Sequence, residues 1–366
     1  MKIHGSHRRS IEADQKRGQI QIIDQTALPH QLEMRTLISV EDIAEAICSM
    51  RVRGAPLIGV TAAFGIALAV ADNSSDSEIE KTIALLLATR PTAVNLAWAL
   101  ERMRARLLSL PFQARAEAAW EEAQRIADED AATNEAIGRH GLALIQAHHA
   151  KTRRSVNILT HCNAGWIATV DWGTALAPIY MAHAAGIPLH VWVDETRPRN
   201  QGLLTAWELG EQGVPHTLIT DNAGGHYMQR GQVDLVLVGA DRVSRHGDVC
   251  NKIGTYLKAL AARDNKVPFY AAVPGPTIDW NIDHAVDEIP IEERSADEVR
   301  IVAGVDDKGH GSRVFIASHE AAIGNPAFDV TPARLVSGII TERGIAPASE
   351  AGLLGLFPEH RRKDCA

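Results

Sequence analysis

Cysteine is scarce in this 366-residue chain: four thiols, at 48, 162, 250 and 365, with no C-x-x-C pair among them. Four unpaired-looking thiols in a chain this long exclude a disulfide scaffold. Excess positive charge is also missing. Lys+Arg number 37 against 45 Asp+Glu, a net charge of -8. That excludes a protein that coats nucleic acid, while leaving room for a local basic pocket that takes one phosphate. No apolar run reads as reaching the ~18 residues of a membrane span. The charged start Met1-Lys2-Ile3-His4-Gly5-Ser6-His7-Arg8-Arg9 has no apolar stretch behind it, so no signal peptide is expected. The expectation is a cytoplasmic protein with reduced thiols and neither a membrane nor a nucleic-acid partner. What the chain does have is apolar mass: 46% hydrophobic and 22% charged residues are ordinary globular values and exclude disorder as the main state. At ~150 residues per domain, two domains are expected.

The pattern changes near residue 150. From about 37 to 150 it is helical. Ser39-Val40-Glu41-Asp42 reads as a capping box opening a helix to about Arg51, and Pro56 is a first-turn proline for a helix over Leu57–Val70. Further helices are expected over Glu78–Thr89, Thr92–Leu108 and, in one or more pieces, Gln113–His149. Gln19–Asp24 and Leu32–Met34 read as a small antiparallel piece. After residue 151, β-branched runs alternate with helical ones: Val156–Thr160, Leu189–Val193, Thr217–Ile219, Asp234–Val238 and Val267–Ala272 are strands, and Gly173–Ala185, Leu203–Glu211 and Asn251–Ala262 are helices. This alternation predicts an α/β fold: a Rossmann-like parallel sheet domain (151–366) with helices on both faces, preceded by a mainly helical domain (1–150) with a small antiparallel sheet.

Ligands of such a sheet bind beyond the carboxyl ends of its strands. Strand one is followed by His161-Cys162-Asn163-Ala164-Gly165, strand two by Asp194 through Gly202, strand three by Thr220-Asp221-Asn222 and strand four by Gly239-Ala240-Asp241-Arg242. Any one polar strand end is ordinary loop chemistry; four together indicate a site. A dinucleotide does not fit it, because no G-x-G-x-x-G follows the first strand, and no G-x-x-x-x-G-K-[ST] loop is present. Metal is poorly supported too: no H-E-x-x-H exists, and the adjacent His161 and Cys162 should face opposite ways. Cys48 and Cys250 read as small buried hydrophobes and Cys365 as a free terminal thiol, whereas Cys162, before an Asn-Ala-Gly turn, should face the crevice. Asp241 follows an apolar run, Leu235 to Ala240. A carboxyl so placed is poorly solvated and suited to general-acid work, although an N-cap or ion-pair role is the plainer reading. Three cationic helix starts, at Arg53-Gly54-Ala55-Pro56, Arg90-Pro91-Thr92 and Asn251-Lys252, suggest an anion site at the seam between the domains.

The motifs Arg53-Gly54-Ala55-Pro56-Leu57-Ile58-Gly59, Thr160-His161-Cys162-Asn163-Ala164-Gly165, Asp194-Glu195-Thr196-Arg197-Pro198 with Gln201-Gly202, Gly239-Ala240-Asp241-Arg242, Asn251-Lys252-Ile253-Gly254-Thr255, Ile289 to Arg294 and Asn325 to Pro332 resemble those of the methylthioribose-1-phosphate isomerase family. The resemblance runs from about Ile22 to Gly344. It implies isomerisation of an aldose 1-phosphate, 5-methylthioribose 1-phosphate, to the ketose, in methionine salvage. It also implies that Cys162 and Asp241 carry the chemistry, that Arg53, Gly54, Ala55, Arg90, Gln201, Asn251 and Lys252 hold the substrate, that no cofactor or metal is needed, and that the chain forms a homodimer. The sequence departs from the pattern at Arg9-Ser10-Ile11-Glu12, Trp166, Ala223–His226 and Val273–Thr277. These departures are expected to reshape the surroundings of the sugar's 5-position, which makes 5-deoxyribose 1-phosphate an alternative substrate. A regulatory protein on the same fold, as in translation-factor exchange complexes, is the competing class; it has no need of a thiol, a carboxylate and cations together. A nicotinamide dehydrogenase is disfavoured by the missing glycine fingerprint.

Overall fold

In the computed structural model, which describes residues 1–90 and 93–362, local signals build the helical layer as read. Ser39 Oγ accepts from Asp42 N at 3.1 Å and the Asp42 carboxylate accepts from Ser39 N at 3.1 Å, so the capping box opens α1, Val40–Cys48. It is followed by α2 (Ala55–Asp72), α3 (Asp76–Thr89), α4 (Val94–Leu108) and one 38-residue helix, α5 (Arg115–Thr152). Pro91 and Thr92, where α4 was expected to open, lie outside the described residues, as does Cys365. In front of these helices β1 (Ile11–Asp14), β2 (Gln19–Ile23) and β3 (Met34–Leu37) form a three-stranded antiparallel sheet. It has one strand more than the sequence indicated, because Ile11 pairs with Ile22 under the helices.

The helix α2 corrects one expectation. Its 18 residues are long and apolar enough to cross a membrane by length and composition. They are instead mostly buried within the helical core, packed with α1, α3, α4 and α5. An all-round apolar helix is what the centre of such a layer requires.

Beyond α5 the chain alternates β4 (Val156–Thr160), α6 (Ala177–Ala184), β5 (Leu189–Asp194), α7 (Gln201–Glu211), β6 (His216–Ile219), α8 (Ala223–Gln229) and β7 (Leu235–Val238). Then come β8 (Arg242–Ser244), β9 (Val249–Lys252), α9 (Thr255–Asp264), β10 (Phe269–Ala272), β11 (Ile278–Asp279), β12 (Phe328–Thr331), β13 (Gly338–Thr341), β14 (Gly344–Ala346) and α10 (Glu350–Leu356). The large sheet has the order β14-β13-β10-β7-β4-β5-β6, parallel except for its edge strand β14. Alternate residues serve opposite faces: Ile158, Leu235 and Leu237 join a core under α5, α6 and α7, while Leu159, Val236 and Val238 join one under α8, α9 and α10. Helices therefore cover both faces, which is why these strands are apolar throughout. Ile137 and Ile145 of α5, with Ile3, Ile23 and Leu28 of the N-terminal segment, belong to the first of these sheet cores. One helix thus serves both the helical layer and the sheet.

From β4 the chain winds outward through β5 and β6, then returns to place β7 on the other side of β4. The reversal is a topological switch point, and it opens a crevice beyond the ends of β4 and β7. A second sheet, β11-β8-β9-β12, walls the crevice. The stretch expected as a helix from Asn251 is strand here. Val249–Lys252 pairs antiparallel with Phe328–Thr331, and the helix begins only at Thr255.

Candidate active site

Cys162 follows β4 and Asp241 follows β7, so the switch point brings the two into one cavity. Cys162 sits in a left-handed backbone conformation, φ 67°, which for a non-glycine residue costs on the order of 1–3 kcal/mol and needs support. The support is visible: Cys162 N donates to Thr196 Oγ1 at 2.8 Å, and Thr205 Oγ1 donates to the Cys162 carbonyl at 2.8 Å. On the facing wall, Gly54 caps α2 with φ 92° and no side-chain cap. A Cβ there would run into the backbone of Ala168, so only glycine lets the start of α2 close on the crevice.

Arg53, Gly54, Ala55, Arg90, Gln201, Asn251 and Lys252 all line the same cavity as Cys162 and Asp241. The geometry corrects how two of them arrive. Of the expected cationic helix starts, Gly54-Ala55 opens a helix as read. Arg90 closes α3 as its C-cap, and Asn251 and Lys252 lie on β9. Lys252 is buried, donates to the Ala327 carbonyl at 2.9 Å and lies 4.5 Å over the Phe328 ring. Arg53 Nη2 donates to Asn163 Oδ1. Its Nε, and Gln201 Oε1, are buried with no protein partner. Sequence reasoning gave no role to Arg199, Glu292 or Arg294, which also line the cavity. Arg90 Nη2 lies 3.6 Å from Glu292, and Arg294 Nη1 donates to Glu292 at 2.7 Å.

Burial dominates the electrostatics. It pushes the Asp241 carboxyl up from its ordinary value, against Lys252, Arg90 and Arg53, which pull it down. Arg242, adjacent in sequence, instead lies 3.4 Å from Asp279. Burial likewise pushes the Cys162 thiol up, with Lys252 and Arg53 opposing, and pulls the Lys252 ammonium down. The cavity therefore offers a carboxyl inclined to hold its proton, a thiol beside two cations, and a helix start with free N–H groups. Such a set can protonate one oxygen, act at a neighbouring carbon and bind an anion.

Two other expectations are corrected. Cys48 is exposed at the end of α1 rather than buried. Cys250, by contrast, is buried as expected, and it also lines the cavity, its thiol pushed up to about 12 by burial. Trp166 is fully buried in the sheet core, 6.2 Å from Trp207, and is not among the cavity's lining residues; it therefore does not shape the surroundings of a bound sugar directly. His161, Asp194 and Asp221 place their ligand-capable atoms within 4.8 Å of one another. Most of their polar atoms have protein partners: His161 Nδ1 is 3.0 Å from Asp194, its Nε2 is 2.8 Å from the Ile253 carbonyl, Lys258 Nζ is 3.3 Å from Asp194, and Asp221 accepts from Thr196 N and Arg197 N, while Asp194 Oδ1 is buried without one. This is a buried ion-pair network that braces the turn after β5.

Residues 51–348 match the model of the initiation factor 2 subunit family. Methylthioribose-1-phosphate isomerases of Gluconobacter oxydans and Acidiphilium cryptum are each 61% identical to the chain, the first covering 99% of it and 100% of the relative, the second 100% of both. Among solved structures, 5-methylthioribose 1-phosphate isomerase from Pyrococcus horikoshii superposes with a TM-score of 0.83 at 39% identity, covering 98% of this chain and 100% of that one. A translation initiation factor eIF-2B subunit delta from A. fulgidus gives 0.79 at 38% identity, covering 96% and 100%. The chain belongs to the initiation factor 2 subunit family and, within it, to the methylthioribose-1-phosphate isomerases.

Proposed function

We propose that the chain isomerises 5-methylthioribose 1-phosphate to 5-methylthioribulose 1-phosphate, as a step of methionine salvage. The observation that carries the reading is the convergence of Cys162, Asp241, Arg53 and Lys252 on one crevice at the switch point. A phosphate on the anomeric carbon stops the sugar from opening spontaneously to an aldehyde, so the ring oxygen must be helped to leave. Asp241, whose carboxyl burial pushes toward holding its proton, supplies that proton. Hydrogen then moves from carbon 2 to carbon 1, with Cys162 either as thiolate base or as stabiliser of a cationic intermediate. The phosphate is held by Arg53, Arg90, Asn251 and Lys252 with the N–H groups at Gly54 and Ala55, and Gln201 contacts the sugar. Apolar lining at Met50, Ile58, Ile289 and Pro290 supports an uncharged 5-substituent.

The same reading includes the division of the chain near residue 150 into a helical unit and a Rossmann-like unit, a cytoplasmic location, and a homodimer. The exposed Val314, Phe315 and Ile316 of the Ile301–Val305/Gly311–Phe315 hairpin region support a covered face, which light scattering tests. Incubation with 5-methylthioribose 1-phosphate and, separately, with 5-deoxyribose 1-phosphate tests the activity. Ketose formation from the first at the higher kcat/KM is expected; no ketose from either overturns the reading in favour of a regulatory role. In D₂O, deuterium at carbon 1 of the product marks an exchanging base, and its absence marks hydride transfer or a shielded proton.

A further inference from the structure

Behind the cavity wall lies a carboxyl group with no access to water, Glu208 of α7. Gln201, Thr205 and Glu208 recur at positions i, i+4 and i+7 of this helix, and all three are buried, so α7 turns a polar stripe inward. Glu208 accepts from Asn163 Nδ2 at 2.7 Å, from Trp166 N at 2.7 Å and from the Tyr180 hydroxyl at 2.8 Å. A Cβ on Gly165 would enter the space that the carboxylate fills. Asn163 Nδ2 donates also to Thr205 Oγ1 at 3.1 Å, so both amide hydrogens are committed to α7. Its Oδ1 is thereby turned the other way, where Arg53 Nη2 donates to it. A guanidinium is a rigid planar fork, so anchoring one arm orients the rest. The Nε of Arg53 is left buried, unpartnered and beside the cavity.

We infer that Glu208 is a positioning residue, which through Asn163 sets the Arg53 guanidinium in the orientation that receives the substrate's anionic group. The inference rests on the sugar-phosphate reading above. It assigns Glu208 no contact with substrate: removing its hold leaves the reacting groups in place and loosens the anion site. Binding suffers before turnover does.

The test is a double-mutant cycle of Asn163→Ala and Glu208→Gln, with kcat and KM measured for each variant alongside a thermal melt. Each single variant is expected to raise KM by roughly tenfold, the scale of one lost hydrogen bond to a charged group, with kcat within about threefold of wild type. The double variant is expected to be no worse in KM than the worse single one, because both cut the same chain of contacts. Additive losses, or a fall in kcat at unchanged KM, overturn the inference. Asn163→Ala keeps the Glu208 carboxyl with its donors Trp166 N and the Tyr180 hydroxyl, so a wild-type KM there overturns it even where Glu208→Gln does not fold. A wild-type chain that forms no ketose sinks the activity reading instead. The cycle is then read by calorimetry with inorganic phosphate, whose affinity both variants should lower alike; unchanged affinity overturns the positioning role.

Discussion

Replacing Lys252 with methionine removes one buried charge and keeps the length of the side chain. After burial, Lys252 is the strongest influence on both Cys162 and Asp241, and it pulls both acids down. Without it the Cys162 thiol rises further, while Asp241 is driven still more toward its protonated form. A charge-assisted contact to a phosphate contributes ~1.5–3 kcal/mol, so substrate affinity should fall roughly ten- to a hundredfold. Stability should change little. The Ala327 carbonyl loses a donor, a cost of about 1 kcal/mol, and the relief of burying an ammonium offsets it. Two assays read the effect: KM for the sugar phosphate, and the pH profile of Cys162 alkylation by iodoacetamide, followed on its own peptide by mass spectrometry. The profile should move to higher pH. Unchanged affinity together with an unchanged alkylation profile would refute the placement of this charge at the centre of the site.

Further outcomes follow from the same groups. Burial pushes Glu208 up to about 7 from an ordinary value of 4.5. A carboxyl raised in the folded state favours folding at low pH, and that contribution is lost as pH rises from about 4.5 through 7. Glu208→Gln removes the slope, so its stability relative to wild type should improve between pH 5 and pH 8 in urea melts; a difference that stays constant or runs the other way contradicts the buried carboxyl. Overnight dialysis against EDTA should leave turnover unchanged, and a loss restored by a divalent ion would show that His161, Asp194 and Asp221 hold a metal after all.

Much of this architecture is legible in the sequence because its signals are local. Ser39 and Asp42 declare a helix start three residues apart, and Leu235–Val238 is a short apolar β-branched run before a glycine, as suits a strand buried on both faces. The polar residues after β4 and β7 can be read as a site because the parallel sheet dictates where its strand ends meet. What escapes is non-local. Val249-Cys250-Asn251-Lys252 carries no strand alternation, and it becomes strand by pairing with Arg242–Ser244 on one side and, on the other, with Phe328–Thr331, some eighty residues on. Arg90 reads as part of a helix start, and the structure adds that it is also the C-cap of the preceding helix, α3. The role of Glu208 was missed because a Glu near a helix end is usually solvated. The available signal was its spacing from Gln201 and Thr205, which marks a polar stripe on the face that α7 buries.

In the proposed reaction Cys162 and Asp241 act together on a sugar 1-phosphate in the crevice between β4 and β7. This joint action is tested most directly by the turnover of 5-methylthioribose 1-phosphate by wild type, Cys162→Ser and Asp241→Asn at equal folded concentration. Ketose formation by wild type is expected, with a loss of at least ~10²-fold in kcat for each variant, the scale of a lost acid–base group. Near-normal turnover by either variant would contradict it.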